Sequence, residues 1–163
     1  MLKNSLRGGL LSAVAVVLLG GAIAAPVLGQ DASSGASAGA AAAPAAAPDI
    51  LAAGKHLWND AACYNCHGPN GEGGHSADFP AGPSLRTSGL DPQSMLTIVE
   101  CGVAGSRMPA WLKGAYTQIS CYGAPVGAAP ADTLVSGAYS EADLKNLVAY
   151  VQTTFMKQPL PKW

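Results

Sequence analysis

The chain has 163 residues, of which 49% are hydrophobic and 12% are charged, and its formal net charge is −1. Residues 49–163 contain 7 of the Lys and Arg residues and 9 of the Asp and Glu residues, so this part is close to neutral. Because it has no basic run, we do not expect it to bind nucleic acid. Its length of about 115 residues predicts one small domain.

The N-terminal residues 1–29 have the pattern of an export signal. Lys3 and Arg7 provide a positive start, and residues 8–29 are uncharged and rich in Leu, Val and Ala. This predicts a signal peptide and a periplasmic protein. The uncharged run also spans the roughly 20 residues that a membrane helix needs, so an uncleaved N-terminal membrane anchor is the alternative.

Residues 30–48 consist mainly of Ala, Pro, Gly and Ser. Such a composition buries too little apolar surface to offset the entropy cost of ordering the chain. We therefore interpret this segment as a flexible linker that leads into a folded domain, residues 49–163.

Helical patterns occur at three places in this domain. Asp49 is a candidate cap for a helix that starts at Ile50 and leads to Cys63, and Asp91 is a candidate cap for a helix over residues 91–101 that ends at Gly102. A capping box at Ser140 predicts a last helix over residues 141–155. The remaining segments are rich in Gly and Pro, and none shows a convincing strand pattern. The sequence thus predicts an all-α domain with long loops.

The run Cys63-Tyr64-Asn65-Cys66-His67 is the attachment pattern of a c-type haem. Two thiols three residues apart can add to the two vinyl groups on one edge of the porphyrin, and the following imidazole can bind the iron. A thioredoxin-like redox pair is disfavoured because no strand precedes the motif. A zinc site is disfavoured because the other cysteines, Cys101 and Cys121, form no second pair at this spacing.

Over nearly all of residues 49–163 the chain resembles the class I cytochromes c. Besides the haem motif, Gly54 and Trp58 match the first helix of that family, and Leu147 and Tyr150 match the last helix where it crosses the first. The resemblance implies a small cytochrome c fold, with three to five helices and long loops wrapped around one covalently bound haem c.

The resemblance also implies a second iron ligand opposite His67. Class I cytochromes carry this ligand in a Met-Pro segment such as Met108-Pro109, which makes Met108 the preferred candidate. The other candidates are Met95, Met156, His56 and His75. Met95 is simply interpreted as packing, Met156 as surface or packing and His56 as solvent-facing, while His75 lies in the Gly-rich turn after the motif.

The segment Gly82-Pro83-Ser84-Leu85 resembles the Gly-Pro-x-Leu element of the family. This implies that the Pro83 carbonyl accepts a hydrogen bond from the His67 ring and that Leu85 packs on the haem. Arg86 or Arg107 could pair with a haem propionate, or both could be solvated surface charges.

Cys101 and Cys121 remain after haem attachment. In an exported chain we expect them to form a disulfide that closes a loop of about 20 residues around Met108, with roughly 3 kcal/mol of stabilisation. Two buried free thiols are the alternative.

These features predict a monohaem cytochrome that transfers single electrons outside the cytoplasm and is not an enzyme. Its redox partners could be a dehydrogenase, a bc1-type complex, a terminal oxidase or a photosynthetic centre. Two alternatives stay open: a cytochrome subunit fixed in a larger membrane or dehydrogenase complex, and a haem protein that binds small molecules.

Overall fold

The computed structural model describes residues 46–74 and 76–163, which form four helices and two short strands. The elements in chain order are α1 (Ala47–Asp60), α2 (Tyr64–His67), α3 (Pro92–Cys101), β1 (Ala110–Leu112), β2 (Val135–Tyr139) and α4 (Glu141–Thr154). This mostly helical architecture agrees with the small cytochrome c fold. The predicted signal segment, most of the predicted linker and His75 lie outside the described residues.

Helix α1 begins before the residue that we predicted as its cap. Its N-cap is Ala46, which provides no side-chain cap, and Pro48 lies in the first turn, where its missing N–H costs no hydrogen bond. Asp49 is therefore inside the helix, in its first turn, where the negative carboxylate interacts favourably with the positive end of the helix dipole. The prediction of a cap at Asp49 is therefore wrong, and the helix begins up to one turn earlier than predicted.

The caps predicted for the other two long helices are confirmed. One carboxylate oxygen of Asp91 accepts hydrogen bonds from the backbone N–H groups of Gln93 and Ser94, each at 3.0 Å. At α4, the Asp143 N–H donates to Ser140 Oγ at 3.2 Å, and the Ser140 N–H donates back to the Asp143 carboxylate at 3.0 Å. These caps satisfy N–H groups that the helix itself leaves without partners.

Helices α1 and α4 cross at Gly54. A Cβ atom at this position would overlap the carbonyl oxygen of Asn146 and would lie 2.6 Å from Cβ of Tyr150. The prediction that Gly54 permits a close helix contact is therefore confirmed. Beside the crossing, the buried ring of Trp58 packs edge-on against Phe155, with the ring centroids 4.9 Å apart. The core draws apolar residues from α1, α3, β1 and α4, including Leu57, Leu96, Leu112, Leu144 and Val148.

The two strands were not predicted, so the all-α assignment is wrong in this respect. Strands β1 and β2 pair in parallel, with Ala110 opposite Val135 and Leu112 opposite Tyr139, and an irregularity lies between these pairs. β1 has only three residues, and β2 is largely exposed, so neither produces a clear alternation of apolar and polar residues. Their pairing depends on a long-range contact across residues 113–134, which no local pattern reveals.

Candidate haem site

The haem-attachment motif occupies a single helical turn. Ala62 has a positive φ of 52°, which separates α1 from α2, and the His67 N–H donates to the Cys63 carbonyl at 3.0 Å. Residues three apart lie on the same side of a helix, so Cys63 and Cys66 share one face of this turn. Both are half-buried free thiols.

Burial raises the pKa of the Cys63 thiol to about 12. This thiol is therefore neutral at physiological pH. The attacking cysteine of a thioredoxin-like pair needs a lowered pKa, because the thiolate is the nucleophile. The environment of Cys63 thus argues against that alternative and leaves haem attachment as the better interpretation.

The ring of His67 is oriented by a carbonyl group. Nδ1 of His67 lies 3.0 Å from the carbonyl oxygen of Pro83. Because a carbonyl oxygen only accepts hydrogen bonds, Nδ1 must carry a hydrogen, and in the neutral ring the lone pair is then on Nε2. This is the arrangement that fixes a metal-binding histidine and makes it a better electron donor. The ring centroid of the buried Trp58 lies 6.4 Å away.

Gly82 brings the Pro83 carbonyl to this position, a role that sequence reasoning missed. Its N–H donates to the Cys66 carbonyl at 2.8 Å. A Cβ atom at Gly82 would lie 2.7 Å from that carbonyl oxygen and 3.0 Å from Nδ1 of His67. Any side chain would therefore push the segment away from α2. A Gly-Pro pair is in general a signal of a turn, but it does not indicate such a close approach.

Leu85 follows on the same segment and is half-buried against the core, and its N–H donates to the Gly71 carbonyl at 2.8 Å. This contact ties the Gly-Pro segment to the turn after α2. A Cβ atom at Gly71 would lie 2.7 Å from the ring of Phe155, so this turn also packs closely on the end of α4.

Arg86 stabilises the same turn. Its Nε donates to the Asn70 carbonyl at 2.9 Å, and one of its terminal nitrogens lies 3.8 Å from the Glu72 carboxylate. Backbone N–H groups of Glu72 itself and of Asn70, together with the charge of Arg86, lower the pKa of Glu72. Both arginines considered for a propionate are exposed, and Arg86 is in addition engaged in the turn.

Met108 is half-buried and packs against the core from a loop between α3 and β1. We call residues 103–108 the distal loop. Its two ends meet where the Val103 N–H donates to the Met108 carbonyl at 3.0 Å. Cys101, directly before this loop in α3, is joined to Cys121 by a disulfide, and both residues are buried.

Two tyrosines reinforce the base of the distal loop. The buried Tyr116 donates its hydroxyl to the Cys101 carbonyl at 2.8 Å, and the Tyr122 hydroxyl donates to the Gly102 carbonyl. Both carbonyls lie at the C-terminal end of α3, where a helix leaves acceptors without partners. Sequence reasoning did not identify either tyrosine, because both act from a loop with no regular pattern and both have positive φ.

Three of the other candidate iron ligands have positions that agree with their simpler interpretations. Met95 is buried in α3, and its sulfur is 3.9 Å from Nε2 of Gln152. Met156 is buried after the end of α4, and His56 is exposed on α1. His75 is outside the described residues.

A further contact links the end of α1, which precedes the haem-attachment motif, to the two-stranded sheet. The Tyr139 hydroxyl donates to the Asp60 carboxylate at 2.8 Å, and its ring lies 5.7 Å from that of Trp111 in β1. Loss of hydration and the hydrogen bond to Asp60 raise the pKa of Tyr139 to about 12.

The residues present fit haem c. Two free thiols share one face of a helical turn, and the adjacent imidazole keeps Nε2 available because Nδ1 is bonded to Pro83. Within residues 46–74 and 76–163, no group of three or more His, Cys, Asp or Glu residues could hold a metal ion by itself. In the same part of the chain, no helix is long and apolar enough to cross a membrane.

Residues 49–120 match the model of a family described as cytochrome c oxidase, cbb3-type, subunit III. No curated protein and no solved structure matches the chain. The matched segment contains the haem-attachment motif, the Gly-Pro segment and Met108. It is a c-type cytochrome domain, and such domains carry covalently attached haem c and transfer electrons.

Proposed function

We propose that this protein is a monohaem electron carrier whose iron is bound by Nε2 of His67 and the sulfur of Met108. It works outside the cytoplasm and does not turn over a substrate. The observation that carries the proposal is the 3.0 Å contact between Nδ1 of His67 and the Pro83 carbonyl. Because Nδ1 is engaged in this contact, Nε2 is the ring nitrogen available to bind iron, and two free thiols lie close to it in the sequence.

Each residue of the site has a separate task in this proposal. Cys63 and Cys66 hold haem c, which supplies a one-electron redox couple when it is bound. The Pro83 carbonyl fixes the His67 ring, and Leu85 contributes an apolar wall. Met108 supplies a thioether, a ligand that raises the reduction potential of cytochromes c.

The partners are redox proteins that dock briefly. Small, weak interfaces are usual for such electron-transfer encounters. A dehydrogenase, a bc1-type complex, a terminal oxidase and a photosynthetic centre are all compatible with the near-neutral domain. The family description favours an oxidase among them.

The ligand assignment can be tested with two matched variants, Met108→Leu and Met95→Leu. Both replace a methionine by a residue of similar volume, which usually costs less than about 1.5 kcal/mol in a packed site. The proteins are produced with haem-maturation machinery, and their ferric and ferrous absorption spectra are recorded. We expect the weak far-red ferric band that marks sulfur–iron bonding in wild type and in Met95→Leu, and its loss in Met108→Leu.

A wild-type spectrum of high-spin iron, or a band that survives Met108→Leu, would contradict the assignment. If instead the band disappears in Met95→Leu, the buried methionine of α3 is the ligand. A band that persists in both variants would point to the sulfur of Met156, which a Met156→Leu variant then tests. A low-spin wild-type protein without the band would instead direct attention to His75, which a His75→Ala variant tests.

A second candidate function is a cytochrome subunit held in a larger membrane complex. The family description, which names a subunit of an oxidase, specifically favours it. The full chain should then stay with membranes after a high-salt wash and should co-purify with other subunits in mild detergent. Release into buffer without detergent would support the free carrier.

A further inference from the structure

The distal loop has little packing to hold its shape. Val103, Ala104, Gly105 and Arg107 are all exposed, and Met108 is only half-buried. Hydrogen bonds within the loop must therefore provide most of the constraint on the Met108 backbone. Without them, an exposed segment of this length would sample many conformations.

One hydroxyl group makes two of these hydrogen bonds. Ser106 Oγ donates to the Val103 carbonyl at 2.7 Å and accepts from the Met108 N–H at 3.0 Å. A serine hydroxyl has one donor and can accept at the same time, so both uses are compatible. Together with the direct bond from the Val103 N–H to the Met108 carbonyl, both backbone polar groups of Met108 are fixed relative to Val103.

The loop closed in this way rests on a fixed base. The Gly105 N–H donates to the Asp132 carbonyl at 3.1 Å, and Cys101 is held by the disulfide to Cys121 and by Tyr116. Loss of the Ser106 hydroxyl would therefore loosen the Met108 end of the loop and leave its base in place.

We propose that Ser106 is a positioning residue for Met108: its hydroxyl joins the Val103 carbonyl to the Met108 N–H and so keeps the thioether directed at the iron. This inference rests on the proposed ligation by Met108. When the hydroxyl is absent, the fraction of molecules in which Met108 has moved away rises. The apparent affinity for an external iron ligand is proportional to that fraction, so it rises as well.

The test is a titration of the ferric holoprotein with imidazole, which competes with Met108 for the iron. The variants are Ser106→Ala, Ser106→Thr and Ser120→Ala, with Met108→Leu as a reference. Ser120, the residue before Cys121, donates its hydroxyl to the Ala124 carbonyl, so Ser120→Ala removes a comparable side-chain-to-backbone bond outside the distal loop.

We expect Ser106→Ala to bind imidazole about tenfold more tightly than wild type, which corresponds to about 1.4 kcal/mol. Ser106→Thr retains a hydroxyl and should stay within about twofold of wild type, as should Ser120→Ala. The far-red ferric band should weaken at a lower temperature in Ser106→Ala than in the other two variants.

Two results would overturn the inference while the ligation by Met108 stands. One is a Ser106→Ala protein with wild-type imidazole affinity, alongside much tighter binding by Met108→Leu. The other is an equal gain in Ser106→Ala and Ser120→Ala, which would indicate general loosening of the region. If Met108→Leu itself binds imidazole like wild type, the proposed ligation fails first.

Discussion

Gly54 illustrates how a single missing side chain determines a helix crossing. In an exposed helix, replacement of Gly by Ala stabilises by about 0.5–1 kcal/mol. Here the added Cβ would overlap the Asn146 carbonyl and crowd Tyr150. We therefore expect Gly54→Ala to lower the free energy of unfolding of the holoprotein by about 2 kcal/mol, measured by urea denaturation.

Ala53, the exposed neighbour of Gly54 in α1, provides the control. Ala53→Gly should destabilise by about 1 kcal/mol through helix propensity alone. A Gly54→Ala protein that is more stable than wild type would show that α1 and α4 do not cross closely at this residue.

At the same scale, the sequence revealed those site residues that lie close together in the chain. Cys63, Cys66 and His67 form one motif, so their common face could be predicted from spacing alone. Gly82 and Ser106 could not be predicted in the same way. Their roles depend on distances to atoms of other segments or on the closure of a loop, and residue type does not encode these.

At the scale of elements, the capping box of α4 gives a prediction with a defined pH dependence. Ser140→Ala removes the hydroxyl that accepts from the Asp143 N–H, so we expect a loss of about 1 kcal/mol of unfolding free energy at neutral pH. Ser136→Ala is the control, because Ser136 is exposed in β2 and its hydroxyl has no hydrogen bond within the described residues. Urea denaturation of the ferric holoprotein measures both variants.

The Ser140 hydroxyl and N–H lower the pKa of Asp143. A lowered pKa stabilises the fold above the unfolded value of about 3.9, and this contribution is lost as the pH falls through the lower folded value. The difference between wild type and Ser140→Ala should therefore be constant near neutral pH and shrink in acid. A difference that grows in acid would contradict the capping role of Asp143.

The helices could be predicted because caps and apolar spacing act within a few residues. The beginning of α1 was misplaced because Pro48 in the first turn permits a start without a side-chain cap. The two strands were missed because only their mutual pairing, across 22 intervening residues, makes them strands.

At the scale of the whole molecule, the segment between β1 and β2 connects parts that are far apart in sequence. It carries Cys121 and the two tyrosines at the base of the distal loop, and it leads into β2, which carries Tyr139. Tyr139 in turn bonds to Asp60, three residues before Cys63. The supports of the haem motif and of Met108 thus belong to one connected set of contacts.

The Tyr139–Asp60 hydrogen bond gives the last prediction. We expect Tyr139→Phe to lose about 1 kcal/mol of unfolding free energy at neutral pH, and Tyr64→Phe, an exposed tyrosine in α2, to lose little. The folded state raises the pKa of Tyr139 to about 12. Its stabilisation is therefore fully present below the unfolded value of about 10, and it is lost as the pH rises towards the folded value.

Urea denaturation of the ferric holoprotein at several pH values should accordingly show a difference between wild type and Tyr139→Phe that is constant up to about pH 9 and shrinks above about pH 10. A difference that is zero at neutral pH would mean that the bond between β2 and α1 adds no stability. In that case the sheet and the haem motif would be connected through the shared core, which includes Leu112 and against which both Cys63 and Tyr139 pack.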